Sequence, residues 1–116
     1  MIRKAALAYP ETTEDFPWGH SAFKVKNKTF CWMSFAENGM WLTLKLTNSR
    51  FQALSMPGVE ESNYGLGKYG WITAFFKYAE EFPLEMLHYW LDESFRAVAP
   101  KTIVKSLPPM GTKRRS

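Results

Sequence analysis

From Pro17 to Phe30 the chain makes a rigid turn at Pro17-Trp18-Gly19 and then begins to alternate. Phe23 and Val25 fall on one side of the run, Lys24 and Lys26 on the other. A period of two belongs to the β-strand, so one face packs while the other presents two ammonium groups. The sequence predicts this strand over 21–26, a reversal at Asn27-Lys28, and an aromatic-rich second strand over 29–35. Ala36-Glu37-Asn38-Gly39 then returns the chain into a third strand over 40–47, because Asn-Gly tolerates the positive φ a hairpin requires. In that third strand Leu42, Leu44 and Leu46 share one face, and Trp41, Thr43, Lys45 and Thr47 share the other. A chain with this meander has to bury one side of a sheet against something.

The partners for that buried side are helical. Residues 2–8 are helix-prone and end at Tyr9-Pro10, and residues 10–19 read as a loop punctuated by two prolines and closed by Gly19. A helix begins near Asn48-Ser49, with Ser49 and Gln52 spaced as a capping box, Phe51 and Leu54 on its buried face, and Pro57-Gly58 at its end. The stretch 57–70, with Gly58, Gly65, Gly67 and Gly70, reads as a long loop before a fourth strand over 71–76. Pro83 suits the first turn of a last helix, along which Leu84, Leu87, Leu91, Phe95 and Val98 recur at steps of three and four. Ala99-Pro100 interrupts it, and residues 101–107 supply a further helical turn. The expected class is α+β: a mostly antiparallel sheet with helices packed on one face. Residues 1–107 form a single expected domain, and 108–116 a flexible basic tail.

Charge separates the tail from the body. Residues 1–99 hold all eleven Asp and Glu but only ten of the fifteen Lys and Arg, so the net +4 comes from the last seventeen residues. Within the body, Lys24, Lys26, Lys28, Lys45 and Arg50 face only Glu37 between positions 24 and 50, a local excess that bears on partners rather than fold. No apolar run approaches the ~20 residues of a membrane helix. Met1 to Leu7 has the charge of a signal peptide without its apolar length, and Cys31 has no partner for a disulfide, so a cytoplasmic location is expected.

Three groups of residues carry a family likeness over about residues 5 to 105. The first is Leu7, Pro10-Glu11-Thr12-Thr13-Glu14, Pro17-Trp18-Gly19-His20, Phe23-Lys24-Val25 and Lys28-Thr29-Phe30. The second is Tyr64-Gly65 with Gly67-Lys68-Tyr69-Gly70-Trp71-Ile72, and the third Leu91-Asp92-Glu93-Ser94-Phe95-Arg96-Ala97-Val98-Ala99-Pro100-Lys101. In these the chain resembles the MmcQ/YjbR-like proteins, small bacterial domains described as DNA-binding. The resemblance implies an α+β fold of the double-wing type, no reaction and no cofactor. The chain departs from it in a short first helix and in Gly70-Trp71, where many members have His-Trp.

The residues themselves favour a non-enzymatic nucleic-acid-binding domain, with DNA as the expected partner. Wings reach phosphates with cations, and Lys24, Lys26, Lys28, Lys45 and Arg50 are the candidates, with Lys68 and Trp71 in a second, glycine-flanked wing. Trp41 could add an aromatic platform. Gly65-Leu66-Gly67-Lys68 lacks the spacing of a phosphate-binding P-loop. Glu11, Glu14, Asp15 and His20 lack metal-ligand spacing, His88 reads as structural and Cys31 as a small buried strand residue, so no catalytic or metal site is expected. The competing reading is a protein- or small-ligand-interaction module that uses an open aromatic sheet face around Trp41, Phe30 and Trp32. A monomer without membrane attachment is expected in either case.

Overall fold

A computed structural model of the chain describes residues 2–16, 20–62, 69–77 and 84–108. Its described elements are helix α1 (Ile2–Leu7), strands β1 (Thr12–Asp15), β2 (Ser21–Val25), β3 (Lys28–Phe35) and β4 (Gly39–Lys45), helix α2 (Arg50–Leu54), strands β5 (Val59–Glu61) and β6 (Trp71–Lys77), and helices α3 (Leu84–Val98) and α4 (Lys101–Val104). The strands make one antiparallel sheet in the order β1-β2-β3-β4-β6-β5. This is the expected α+β class.

Alternation puts Phe23 and Val25 of β2, Leu42 and Leu44 of β4, and Ile72 and Ala74 of β6 on the same side of the sheet, where all are buried. Helix α3 lies across that side and inserts Leu87, Leu91 and Phe95, while α1 adds Ala6 and the following Tyr9, α2 adds Ala53 and α4 adds Ile103. Tyr9 stacks on Phe95 at 4.5 Å, and Phe30 meets Phe95 edge-on at 5.0 Å. These apolar contacts fix the helices to one face and leave the other face of the sheet without a described helix.

The sequence expectations are revised in several places, and Phe30, expected on the open aromatic face, is instead fully buried on the helix side against Phe95. The segment 10–19 contains strand β1, whose Thr12 to Asp15 pair with Val25 to Ala22. Its β-branched threonines favour the extended backbone, and its carboxylates suit an edge strand, which hid the hydrophobic alternation. The β2–β3 reversal comes one residue early: Lys26 and Asn27 are the residues with positive φ, at 51° and 66°, as a two-residue type I′ hairpin requires. Short strand β5 occupies part of the expected 57–70 loop, held where the Phe75 amide donates to the Gly58 carbonyl at 2.9 Å. Finally, Phe51 is 80% exposed, because the five-residue α2 buries Ala53 instead.

The capping box also gives way to a longer-range arrangement. Glu93 of α3, itself buried, accepts from the Asn48 and Ser49 amides at 2.8 and 2.9 Å and from the Ser49 hydroxyl at 2.8 Å. A carboxylate thus satisfies the orphan donors at the start of α2 and ties that helix to α3. Its neighbours in sequence act similarly. Asp92 accepts from the Tyr9 hydroxyl at 2.8 Å and from Arg96 Nε at 2.9 Å, and the Ser94 hydroxyl accepts the Lys45 amide at 2.8 Å while donating to the Phe30 carbonyl. The β2–β3 ladder skips Phe30, whose neighbours Thr29 and Cys31 pair with Lys24 and Phe23. Ser94 therefore bridges Phe30 and Lys45 just beyond the Cys31–Leu44 pair that ends the β3–β4 ladder, and satisfies both backbone groups.

Candidate nucleic-acid interface

The helix-free face is written by the registers. Opposing residues in a ladder point to the same side, so Ala22, Trp32, Thr43, Thr73 and Glu60 form one row across the sheet, in which Ala22 is fully buried. Beside it, Ser34, Trp41 and Phe75 form a second, and Lys45 with Trp71 a third. Lys24 and Asp15 stand on the same face at the β1 end. Trp41 and Phe75 meet with ring centroids 4.7 Å apart at 52°, and Trp41 is 42% exposed. Thr43, Thr73 and Ser62 link their hydroxyls in series at 3.1 and 3.0 Å.

Gly39 leaves room for the Phe75 ring. A Cβ there would meet the Phe75 ring at 2.4 Å and the Phe76 carbonyl at 2.5 Å. The Phe75 ring covers the bare glycine backbone, the known aromatic device for glycine in a sheet. At the other end Gly70 holds φ at +98° and accepts the Leu46 amide at 2.8 Å, a conformation that disfavours any side chain. This accounts physically for glycine immediately before Trp71.

The candidate cations divide into three sets. Lys24 and Lys45 share the open face, and Ser94 fixes the backbone of Lys45 from the helix side. Lys26 and Lys28 sit at the hairpin, Lys26 within the turn and Lys28 opening β3. Arg50 is not brought together with them: it belongs to α2 on the helix side, ion-paired to Glu61 and 5.6 Å from the Phe51 ring. Lys24 is paired with Asp15 at 3.0 Å and Lys26 with Glu11 at 2.6 Å. Among the described residues Lys28 and Lys45 have no ion pair. Trp71 stands beside Lys45, whereas Lys68 lies outside the described residues, as do the Pro17-Trp18-Gly19 turn and residues 109–116.

Of the remaining chemistry-bearing residues Glu14 and Cys31 serve the structure, whereas His20 and His88, the latter expected to be structural, are exposed. Glu14 accepts from Arg3 Nε at 3.1 Å, joining β1 to α1. Burial pushes the Cys31 thiol far above its ordinary range. Among the described residues no group of three His, Cys, Asp or Glu could hold a metal ion. No described helix is long and apolar enough to cross a membrane. The hydroxyl series and Phe75 were missed in sequence because only the β4–β6 and β5–β6 registers bring them together; the alternation alone had exposed Trp41, Thr43 and Lys45 as one face.

A six-stranded antiparallel sheet with its described helices packed on one side defines a small α+β domain. The chain belongs to the YjbR family, whose signature spans residues 7–97. Its fold is similar to that in the crystal structure of Deinococcus radiodurans protein DR2400, which carries a DUF419 domain, with a TM-score of 0.64 at 24% identity over 82% of this chain and 73% of that one. No curated protein matches the chain.

Proposed function

We propose that this YjbR-family chain is a non-enzymatic nucleic-acid-binding domain that contacts phosphates through Lys24, Lys26, Lys28 and Lys45, with DNA as its partner. The observation that carries the reading is the gathering of Lys24 and Lys45 on the open face beside the lysine-bearing β2–β3 turn. Exposed ion pairs are worth at most about 1 kcal/mol, so a phosphate can replace Asp15 on Lys24 or Glu11 on Lys26 at small cost. Lys28 and Lys45 need no exchange with a described carboxylate.

The Trp41–Phe75 pair favours a second reading, a module that docks an apolar or peptide ligand on the same face. A mobility shift with random duplex and single-stranded DNA at low salt separates the two. Deleting residues 108–116 is the control for weak binding by the tail. Binding lost with the tail, together with normal binding by Lys24→Ala and Lys26→Ala, overturns the proposal.

A further inference from the structure

We propose that the strip of open sheet between Lys77 and Lys45 binds single-stranded nucleic acid, with bases stacked on Trp41–Phe75 and Trp71. The inference rests on the nucleic-acid reading above and adds to it a strandedness and a second set of contacts. Register lays the strip out. The facing pairs on this side of β4 and β6 run Gly39 with Lys77, Trp41 with Phe75, Thr43 with Thr73, and Lys45 with Trp71. Lys77 and Trp71 are six residues apart on β6, about 20 Å along a strand that rises ~3.3 Å per residue. A cation therefore opens the strip, an aromatic pair and a hydroxyl row follow, and a second cation with a second ring closes it.

Charge complementarity selects the occupant. Neither Lys77 nor Lys45 has an ion pair among the described residues, so an anionic chain running along β4 and β6 meets a cation at each end. Glu60 on the outer strand, opposite Thr73, keeps that chain on the β4 side. Between the lysines, the exposed Trp41 and the half-buried Phe75 and Trp71 offer ring surface to planar groups, and the linked Thr43, Thr73 and Ser62 hydroxyls offer donors and acceptors to their edges. An unpaired strand can present base faces to such a platform, whereas a duplex keeps its faces stacked inside and shows only groove edges. A neutral sugar or apolar peptide would use the rings and leave both lysines unanswered.

The test titrates the intact chain with a single-stranded oligothymidylate and with a duplex of equal length, reading tryptophan fluorescence and affinity. The single strand should quench fluorescence and bind more tightly than the duplex. Trp41→Ala should weaken single-strand binding about 5- to 100-fold without altering duplex binding, and Trp41→Phe should retain most of it. Trp41 is 42% exposed, so its loss leaves the core intact, and Lys77→Ala provides a surface variant that should flatten the single-strand salt slope by about 0.7. Duplex binding as tight as single-strand binding, or indifference to both variants, overturns the strandedness while leaving the nucleic-acid reading standing. Binding of neither nucleic acid, including the case where a neutral oligosaccharide or apolar peptide quenches instead, overturns both.

Discussion

The Lys24 ammonium sits 3.0 Å from the Asp15 carboxylate, so edge strand β1 already supplies a partner for the charge that β2 presents. Glu11 does the same for Lys26 at 2.6 Å. The acidic segment before the first hairpin is thus a competitor for the phosphates that those lysines would hold. Asp15→Asn should release Lys24 and tighten nucleic-acid binding by up to about fivefold, the value of a surface pair of about 1 kcal/mol, with a comparable cost in stability. Glu11→Gln should act likewise through Lys26. Affinity measured by fluorescence anisotropy at low salt checks this, and unchanged affinity in both variants would remove Lys24 and Lys26 from the interface.

Salt dependence counts the contacts. Four lysines, Lys24, Lys26, Lys28 and Lys45, each neutralising one phosphate give a log–log slope of about −3.6 on duplex. Raising salt fourfold should then weaken duplex binding ~150-fold. Lys28→Ala should make the slope shallower by about 0.9 for every duplex sequence alike. Arg50→Ala should leave it unaltered, because Arg50 lies with Glu61 on the helix side of the sheet. A slope that responds to Arg50 and ignores Lys28 would move the interface to the α2 edge.

The parts of this molecule legible in sequence are those governed by local period. Alternation in Phe23-Lys24-Val25 and Trp41-Leu42-Thr43-Leu44-Lys45 assigned faces correctly, and the three-four spacing of Leu87, Leu91 and Phe95 assigned the buried side of α3. Strand β1 was not legible, since Thr12-Thr13-Glu14-Asp15 owes its extension to pairing with β2 more than to a buried face of its own. Phe51 misled because a large apolar residue on a five-residue helix need not face the core. Apart from the local Asp92–Arg96 pair, the roles of Asp92, Glu93 and Ser94 depend on partners 44 to 83 residues away, which no local pattern encodes. For the same reason the Thr43–Thr73–Ser62 series became visible only with the sheet order.

Ser94 offers the most direct test of how α3 holds the sheet. Its hydroxyl is the described partner that joins the Lys45 amide to the Phe30 carbonyl at the end of the β3–β4 ladder. Ser94→Ala strands a buried donor and a buried acceptor, and should cost about 2–4 kcal/mol in urea denaturation. The Lys45 amide should lose hydrogen-exchange protection in the same variant. A further consequence is functional: with its backbone untethered, Lys45 should contribute less to binding than in the wild type, even where Ser94→Ala remains folded.

Cys31 sets a pH dependence with a definite sign. It is fully buried in β3 between strands, and loss of hydration raises its thiol pKa far above the usual value. In the unfolded chain the thiol titrates near its ordinary pKa of about 8.5. Below that pH both states keep the proton and the group contributes nothing to the pH dependence. Above it the unfolded state releases a proton that the folded state retains, so unfolding becomes more favourable as pH rises. The wild type should therefore lose about 1.4 kcal/mol per pH unit relative to Cys31→Ala, starting from about pH 9. The alanine variant is less stable at neutral pH because it leaves a cavity, so the informative quantity is the difference in slope and not in absolute stability. Lysines and tyrosines that titrate in the same range are common to both proteins and cancel in that difference. Urea denaturation across the alkaline range measures it, and parallel curves for the two proteins would mean that the thiol reaches solvent in the folded state. Thiol-reactive probes give an independent reading: they should label Cys31 only as the chain unfolds.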